Sequence, residues 1–134
     1  MRHLISMVLG FSVLLVATLA IAQMEELKKS TPEERAMLQT DWMKTNLSLD
    51  EKAVEAVSAI NLKYAKETQA LMDSGGPKLG KMMTFRRNSD AKDAEIRALT
   101  TPEQYSQYEQ KKAQMEEMVK HKMKEKYQAS HSGG

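Results

Sequence analysis

Residues 99–104 read Leu-Thr-Thr-Pro-Glu-Gln and mark the start of a long helix. A threonine before a proline is typical of a helix N-cap, because the hydroxyl accepts a free backbone N–H and proline suits the first helical position. Gln104 stands three residues after Thr101, where its side chain can bind the N–H of the cap residue. The segment therefore predicts a helix over residues 102 to about 127.

Two similar helix starts occur earlier in the chain. Thr-Pro-Glu-Glu at residues 31–34 predicts a helix that ends near residue 45. Ser-Leu-Asp-Glu at residues 48–51 predicts, with Ser48 as the cap, a helix that ends near residue 72. In both predicted helices apolar residues recur every three to five positions, as on one face of a helix.

A Gly-Gly-Pro sequence at residues 75–77 ends the second of these helices, because glycine permits left-handed backbone and proline cannot continue a helix. Residues 78–89 fit either a helix or an ordered loop, and residues 90–99 show a helical pattern. No strand-like alternation of useful length occurs. The sequence therefore predicts an all-α fold of four helices. Their narrow apolar faces favour an extended antiparallel hairpin arrangement that is completed by dimerisation.

The overall composition excludes several classes of function. The 134 residues include 20 Lys and Arg, 18 Asp and Glu, three His and no Cys. A charge balance this even gives no reason to expect a nucleic-acid partner, which requires an excess of basic residues. The chain also lacks a Gly-rich phosphate loop and the GxSxG and HExxH motifs. We therefore expect a protein that is not an enzyme and needs no cofactor.

The first 22 residues have the pattern of a secretory signal peptide. A positive start at Arg2 precedes an uncharged apolar run over residues 4–22, which ends in Ala-Ile-Ala before a predicted cleavage after Ala22. An uncleaved membrane anchor is the alternative, because the run approaches the length that spans a bilayer. Cleavage would leave a product with no stable membrane insertion. The predicted divisions are a signal peptide at 1–22, an extension at 23–30, a helical domain at 31–127 and a disordered tail at 128–134.

Methionine is unusually frequent, with 11 in the chain. Its flexible, polarisable side chain adapts to irregular gaps and to varied partners. A segment with two methionines and a phenylalanine beside two arginines therefore fits a surface for exposed apolar segments of other proteins, and core packing is the alternative. The candidate client-binding residues are Met82, Met83, Phe85, Arg86 and Arg87.

A metal site is a second candidate. Met118 and His121 are spaced to lie on one helical face, and thioether and imidazole groups bind soft metal ions. Two ligands make a weak site, however, and any helix brings residues at this spacing together. The simpler interpretation makes His121 a solvated helix residue.

Residues 47–52, Leu-Ser-Leu-Asp-Glu-Lys, and residues 99–104 each place a leucine before a hydroxyl-capped helix start. They resemble the paired LTxxQ motifs of the Spy/CpxP family of periplasmic proteins, in its Bacteroidetes-type members. The first copy departs from the pattern with Ser48 for threonine and Lys52 for glutamine, and the second carries an extra threonine. The resemblance implies a structural role for the residues Leu47, Ser48, Glu51, Leu99, Thr101, Pro102 and Gln104.

The resemblance also implies a cradle-like, all-helical homodimer in the periplasm. Such a protein acts as an ATP-independent chaperone or envelope-stress modulator, and its partners are unfolded or misfolding envelope proteins held on an amphipathic helical surface. Two alternatives stay open at this point. One is a periplasmic metal-binding or metal-sensing protein of the same fold, and the other is a structural helical protein of the envelope with a single partner.

Overall fold

The computed structural model describes residues 30–133, apart from the side chain of His131, and these residues form helices joined by short turns. The helices are α1 (Pro32–Asn46), α2 (Glu51–Asp73), α3 (Lys78–Leu99) and α4 (Pro102–Ser132). This part of the chain contains no strand, so the prediction of an all-α fold with four helices is confirmed.

The predicted signal peptide at 1–22 and the extension up to residue 29 lie outside the described residues. Within residues 30–133, no helix combines the length and the apolar character that a bilayer crossing requires.

The predicted helix starts at Thr31 and Thr101 are confirmed in detail. The N–H of Thr101 donates to Oε1 of Gln104 at 3.0 Å, and the N–H of Gln104 donates to Oγ1 of Thr101 at 3.1 Å. Thr31 and Glu34 make the same reciprocal pair, with both distances at 3.1 Å. Each pair satisfies two backbone groups that a helix end would otherwise leave without a partner.

The prediction that Ser48 caps α2 is wrong. The cap is Asp50, whose Oδ1 accepts the N–H of Ala53 at 2.8 Å. Ser48 instead adopts a left-handed backbone conformation with φ of 53°. This turn lets Leu47 and Leu49, which flank Ser48, both enter the core, at 2% and 8% exposed. Ser48 therefore forms the turn between two helices, and Glu51 begins α2 on the solvent side.

Two segments are more helical than the sequence indicated. Residues 78–89, for which a helix and a loop were both open, form the first half of the continuous helix α3. Helix α4 continues through residues 128–132, where the sequence favoured a disordered tail. Hydroxyl groups near this end bind helix carbonyls, with Ser130 Oγ donating to the Tyr127 oxygen at 2.8 Å. Such bonds replace water at the carbonyls of the last turns.

Helix α2 packs against α1 and α3, and α4 contacts the same two helices. Early residues of α1 meet late residues of α2, as shown by Arg35, which donates to the Ala65 oxygen at 3.3 Å and to Oε1 of Gln69 at 3.1 Å. All four helices and the turn after α1 contribute to the core. Its buried members are Met43, Leu47, Leu49, Val57, Ile96, Tyr108 and Met115.

A single side chain joins the two motif copies found in the sequence. Nε2 of Gln104 donates to the backbone oxygen of Leu47, the residue that ends α1, at 3.2 Å. The same amide group closes the cap of α4 through its oxygen. At the other end of α4, Lys126 forms an ion pair with Glu34 in the first turn of α1. Helix α4 is therefore bound to α1 near both of its ends.

Substitution of Gln104 tests this junction. We expect Gln104→Ala to lower the free energy of unfolding by about 1–2 kcal/mol, because it removes a cap contact and a bond between helices. Gln104→Glu keeps an acceptor for the cap but no donor for Leu47, so its cost should be smaller. Gln114→Ala, at an exposed position on α4, is the matched control. Equal urea midpoints for the Gln104→Ala and Gln114→Ala variants would contradict the assignment.

Candidate functional site

The helices enclose a cavity of about 130 Å³ that is partly open to solvent. Every one of the four helices contributes to its wall. The apolar part consists of Tyr64, Ala65, Phe85, Tyr108, Met115 and Val119. The polar part consists of Arg35, Gln39, Thr68, Asn88, Ser89, Lys92, Lys112, Glu116 and Lys120. The cavity thus combines an apolar wall with an excess of cationic side chains.

Lys92 is the most unusual charged residue of this wall. Its Nζ donates to Oε1 of Gln39 in α1 at 2.8 Å, and Gln39 is neutral. Burial, together with the nearby Lys112, lowers the pKa of Lys92 to about 8 against the opposing effects of Asp93 and Glu116. The charged form of Lys92 is therefore poorly compensated by its surroundings.

Both carboxylate oxygens of Asp93, the next residue of α3, accept hydrogen bonds from side chains of α4. Its Oδ1 accepts the hydroxyl of Tyr108 at 2.8 Å, and its Oδ2 accepts Nζ of Lys112 at 2.7 Å. Lys112 also donates to Oγ of Ser89 at 3.3 Å. Burial raises the pKa of Tyr108, and the carboxylate of Asp93 raises it further, so the phenol stays protonated and acts as a donor. This network fixes the positions of α3 and α4 beside the cavity.

The remaining charged groups leave the cavity cationic. Arg35 is 3% exposed and is held by several bonds, among them one to the Ser30 oxygen at 2.8 Å. Glu116 is the acidic residue of the wall, and desolvation raises its pKa. Against this one carboxyl group stand the cations of Arg35, Lys92, Lys112 and Lys120, of which Lys112 is paired with Asp93.

The candidate client-binding residues all lie on α3 but not on one face. Phe85 is partly buried and lines the cavity, and Met82 is also partly buried. Met83 is 57% exposed, and Arg86 and Arg87 are exposed. The outer residues share a stripe with Leu79, which is 64% exposed. We call the surface formed by Leu79, Met83, Arg86 and Arg87 the α3 stripe.

A second surface was not found from the sequence. It is an open groove of about 530 Å³ between α1 and α2, which we call the acidic groove. We call its mainly apolar lining residues the floor and its charged and remaining polar lining residues the rim. The floor consists of Ala36, Met37, Thr40, Leu49, Val54 and Leu62, and the rim of Glu33, Asp41, Lys44, Glu51, Glu55 and Ser58. Acidic groups outnumber the single cation of this rim, so the groove is an apolar surface with a negative border.

The metal candidate stays a prediction. Nδ1 of His121 lies 3.6 Å from Oε1 of Glu125, one turn further along α4, and both side chains are largely exposed. Met118 is partly buried. Among the described residues, no group of three or more His, Cys, Asp or Glu side chains is placed to hold a metal ion.

No protein-family model, curated protein or solved structure matches this chain.

The cavity residues left only a weak signal in the sequence. One face of α3 carries residues spaced three and four positions apart, which is typical of the buried face of a helix, and this face includes a lysine. Its residues are Phe85, Ser89, Lys92 and Ile96. Lysine at such a position is usually solvated, and its partner Gln39 lies on another helix. The sequence does not show which residues of separate helices stand opposite one another.

Replacement of Lys92 tests the electrostatics of the cavity. The pKa of Lys92 is about 8 in the folded state against an ordinary value of 10.5 for lysine, so the unfolded state binds more protons between these two pH values. The cost of burying the charge is therefore full below pH 8 and is relieved as the pH rises toward 10.5. We expect Lys92→Met to raise the free energy of unfolding at pH 7 by about 1–2 kcal/mol, and by less at high pH.

The measurement is urea unfolding of wild type and variant at several pH values, with Lys66→Met at an exposed site of α2 as the control. A difference between wild type and Lys92→Met that does not change from pH 7 to pH 10 would contradict a depressed pKa.

Proposed function

We propose that this chain is an exported, ATP-independent chaperone that binds unfolded or misfolding proteins of the cell envelope. The observation that carries the proposal is the α3 stripe, where two large apolar side chains are each more than half exposed beside two arginines. A single exposed apolar residue needs no explanation, but a flexible apolar surface with a charged border is typical of interaction sites.

The physical chemistry of the α3 stripe suits weak, varied contacts. Leu79 and Met83 offer apolar surface to the exposed side chains of an unfolded chain, and methionine adapts to different shapes. Arg86 and Arg87 add long-range attraction, which speeds encounter without requiring a fixed geometry. Neither reaction chemistry nor nucleotide is needed for such binding.

The acidic groove supports the same function with the opposite charge. Met37 is 59% exposed there, and the carboxylates of Glu33, Asp41 and Glu55 border the apolar floor. Segments that combine apolar and basic residues therefore fit the acidic groove, whereas apolar and acidic segments fit the α3 stripe. Together the two surfaces accept unfolded chains of either charge.

We further propose that the helices form antiparallel hairpins in a cradle-like homodimer, and that residues 1–22 direct export to the periplasm. An exposed apolar residue such as Leu99, which lies outside both binding surfaces, gives a second copy a surface to cover. The resemblance of residues 47–52 and 99–104 to the Spy/CpxP motifs supports the same arrangement.

Light scattering coupled to gel filtration tests the proposed dimer. A mass of twice the chain supports the dimer, and a monomer at 100 µM contradicts it.

Aggregation of a reduced client tests the chaperone function. We expect the protein, in the absence of ATP, to suppress light scattering by reduced α-lactalbumin at stoichiometric amounts. A double variant with Leu79→Ser and Met83→Ser should lose at least about half of the suppression, because it removes the apolar contacts of the α3 stripe. A double variant with Ala91→Ser and Ala98→Ser, at exposed positions on the same helix, is the matched control.

Other outcomes separate the alternatives. Wild-type protein that leaves aggregation unchanged would contradict the chaperone function. Suppression that disappears with chelator, and also in a Met118→Leu, His121→Ala variant, would favour the metal-binding alternative. One defined partner in a pull-down, without suppression, would favour a structural protein of the envelope.

A further inference from the structure

The cavity between the helices is not needed for binding of unfolded chains on the surface. Its volume of about 130 Å³ is close to that of engineered protein cavities, of about 150 Å³, that bind benzene. A compact organic group the size of one aromatic ring or a short aliphatic chain therefore fits inside. A folded domain or an extended peptide does not.

Part of the cavity lining is suited to an apolar body. Phe85 approaches from α3, Met115 and Val119 from α4, and Ala65 from α2. Met115 and Val119 are 1% and 2% exposed, so they are fixed by packing and present a stable wall. An apolar group placed there removes its surface from water.

The polar part of the cavity lining carries more positive than negative charge: Glu116 stands against Arg35, Lys92, Lys112 and Lys120. Within residues 30–133, the hydrogen-bond acceptor of the Lys92 ammonium is the neutral Oε1 of Gln39 at 2.8 Å. Asp93, which could compensate it, already accepts Tyr108 and Lys112 with its two oxygens. Lys120 and Arg35 add further positive charge to the wall. A bound carboxylate would offset the remaining positive charge and accept a strong charge-assisted hydrogen bond from Lys92.

We propose that the cavity is a binding site for a free monocarboxylate with a compact apolar body, such as an aromatic acid or a short-chain fatty acid. The carboxylate accepts a hydrogen bond from Nζ of Lys92, and the apolar body packs against Phe85 and Val119. The inference is independent of the proposed chaperone function.

The same residues disfavour other ligands of similar size. A neutral ring would fill the apolar part but leave the charge of Lys92 uncompensated. An inorganic dianion has no apolar body, so it would leave the apolar part of the lining, with Phe85, Met115 and Val119, without a partner. The lining therefore favours a carboxylate joined to an apolar group.

Titration of benzoate, followed by amide chemical shifts of the purified protein, tests the proposal at pH 7. We expect saturable shifts around Ser89, Lys92 and Lys112, and affinity at least about tenfold higher than for the neutral isostere benzamide. Lys92→Met should weaken benzoate binding at least about tenfold. Lys66→Met, the exposed control, should leave it unchanged. Sulfate should produce no saturable shifts at these positions.

A second variant tests the location separately from the charge. Thr68 lines the cavity and is partly buried, so Thr68→Leu places extra volume in it and should abolish benzoate binding in a protein that circular dichroism shows to be folded. Equal affinity for benzoate and benzamide, unchanged affinity in Lys92→Met, or no saturable shift with benzoate would each overturn the proposal. None of these results depends on suppression of client aggregation.

Discussion

The fold depends on one side-chain amide, that of Gln104. Its oxygen completes the cap of α4, and its nitrogen holds the last carbonyl of α1. One residue therefore sets both where α4 begins and which end of α1 it lies beside. The alignment of the following turns of α4 with α3 results from this start, and it brings Tyr108 and Lys112 to Asp93. The cavity takes its wall from every helix and is therefore formed by the same alignment.

The sequence predicted the parts of the fold that short-range contacts decide. The caps at Thr31 and Thr101 follow from residue types within four positions, and both are present. Ser48 has the same residue type as a cap, but it turns the chain at positive φ so that its leucine neighbours are buried. That outcome depends on tertiary packing, which residue spacing does not record. The pairing of Lys92 with Gln39 was hidden for the same reason, because it joins separate helices.

Helix α3 contributes side chains to two separate surfaces. Its outer side carries Leu79 and Met83 toward solvent, and its inner side carries Phe85 and Lys92 toward the cavity. From the sequence, Met82, Met83 and Phe85 are expected to form one patch, because they lie close together in the chain. A helix turns by about 100° per residue, so adjacent residues point in different directions. The helical form of residues 78–89, left open by the sequence, is what separates the outer surface from the inner one.

Helix α4 contacts α1 near both of its own ends, and the two contacts are of different kinds. Near its start the contact is a neutral amide bond to Leu47, whereas near its end it is the exposed ion pair of Lys126 with Glu34. Dissolved ions screen the second contact far more than the first. Rising ionic strength therefore weakens the contact near the C-terminal end of α4 and leaves the bond to Leu47 largely unchanged.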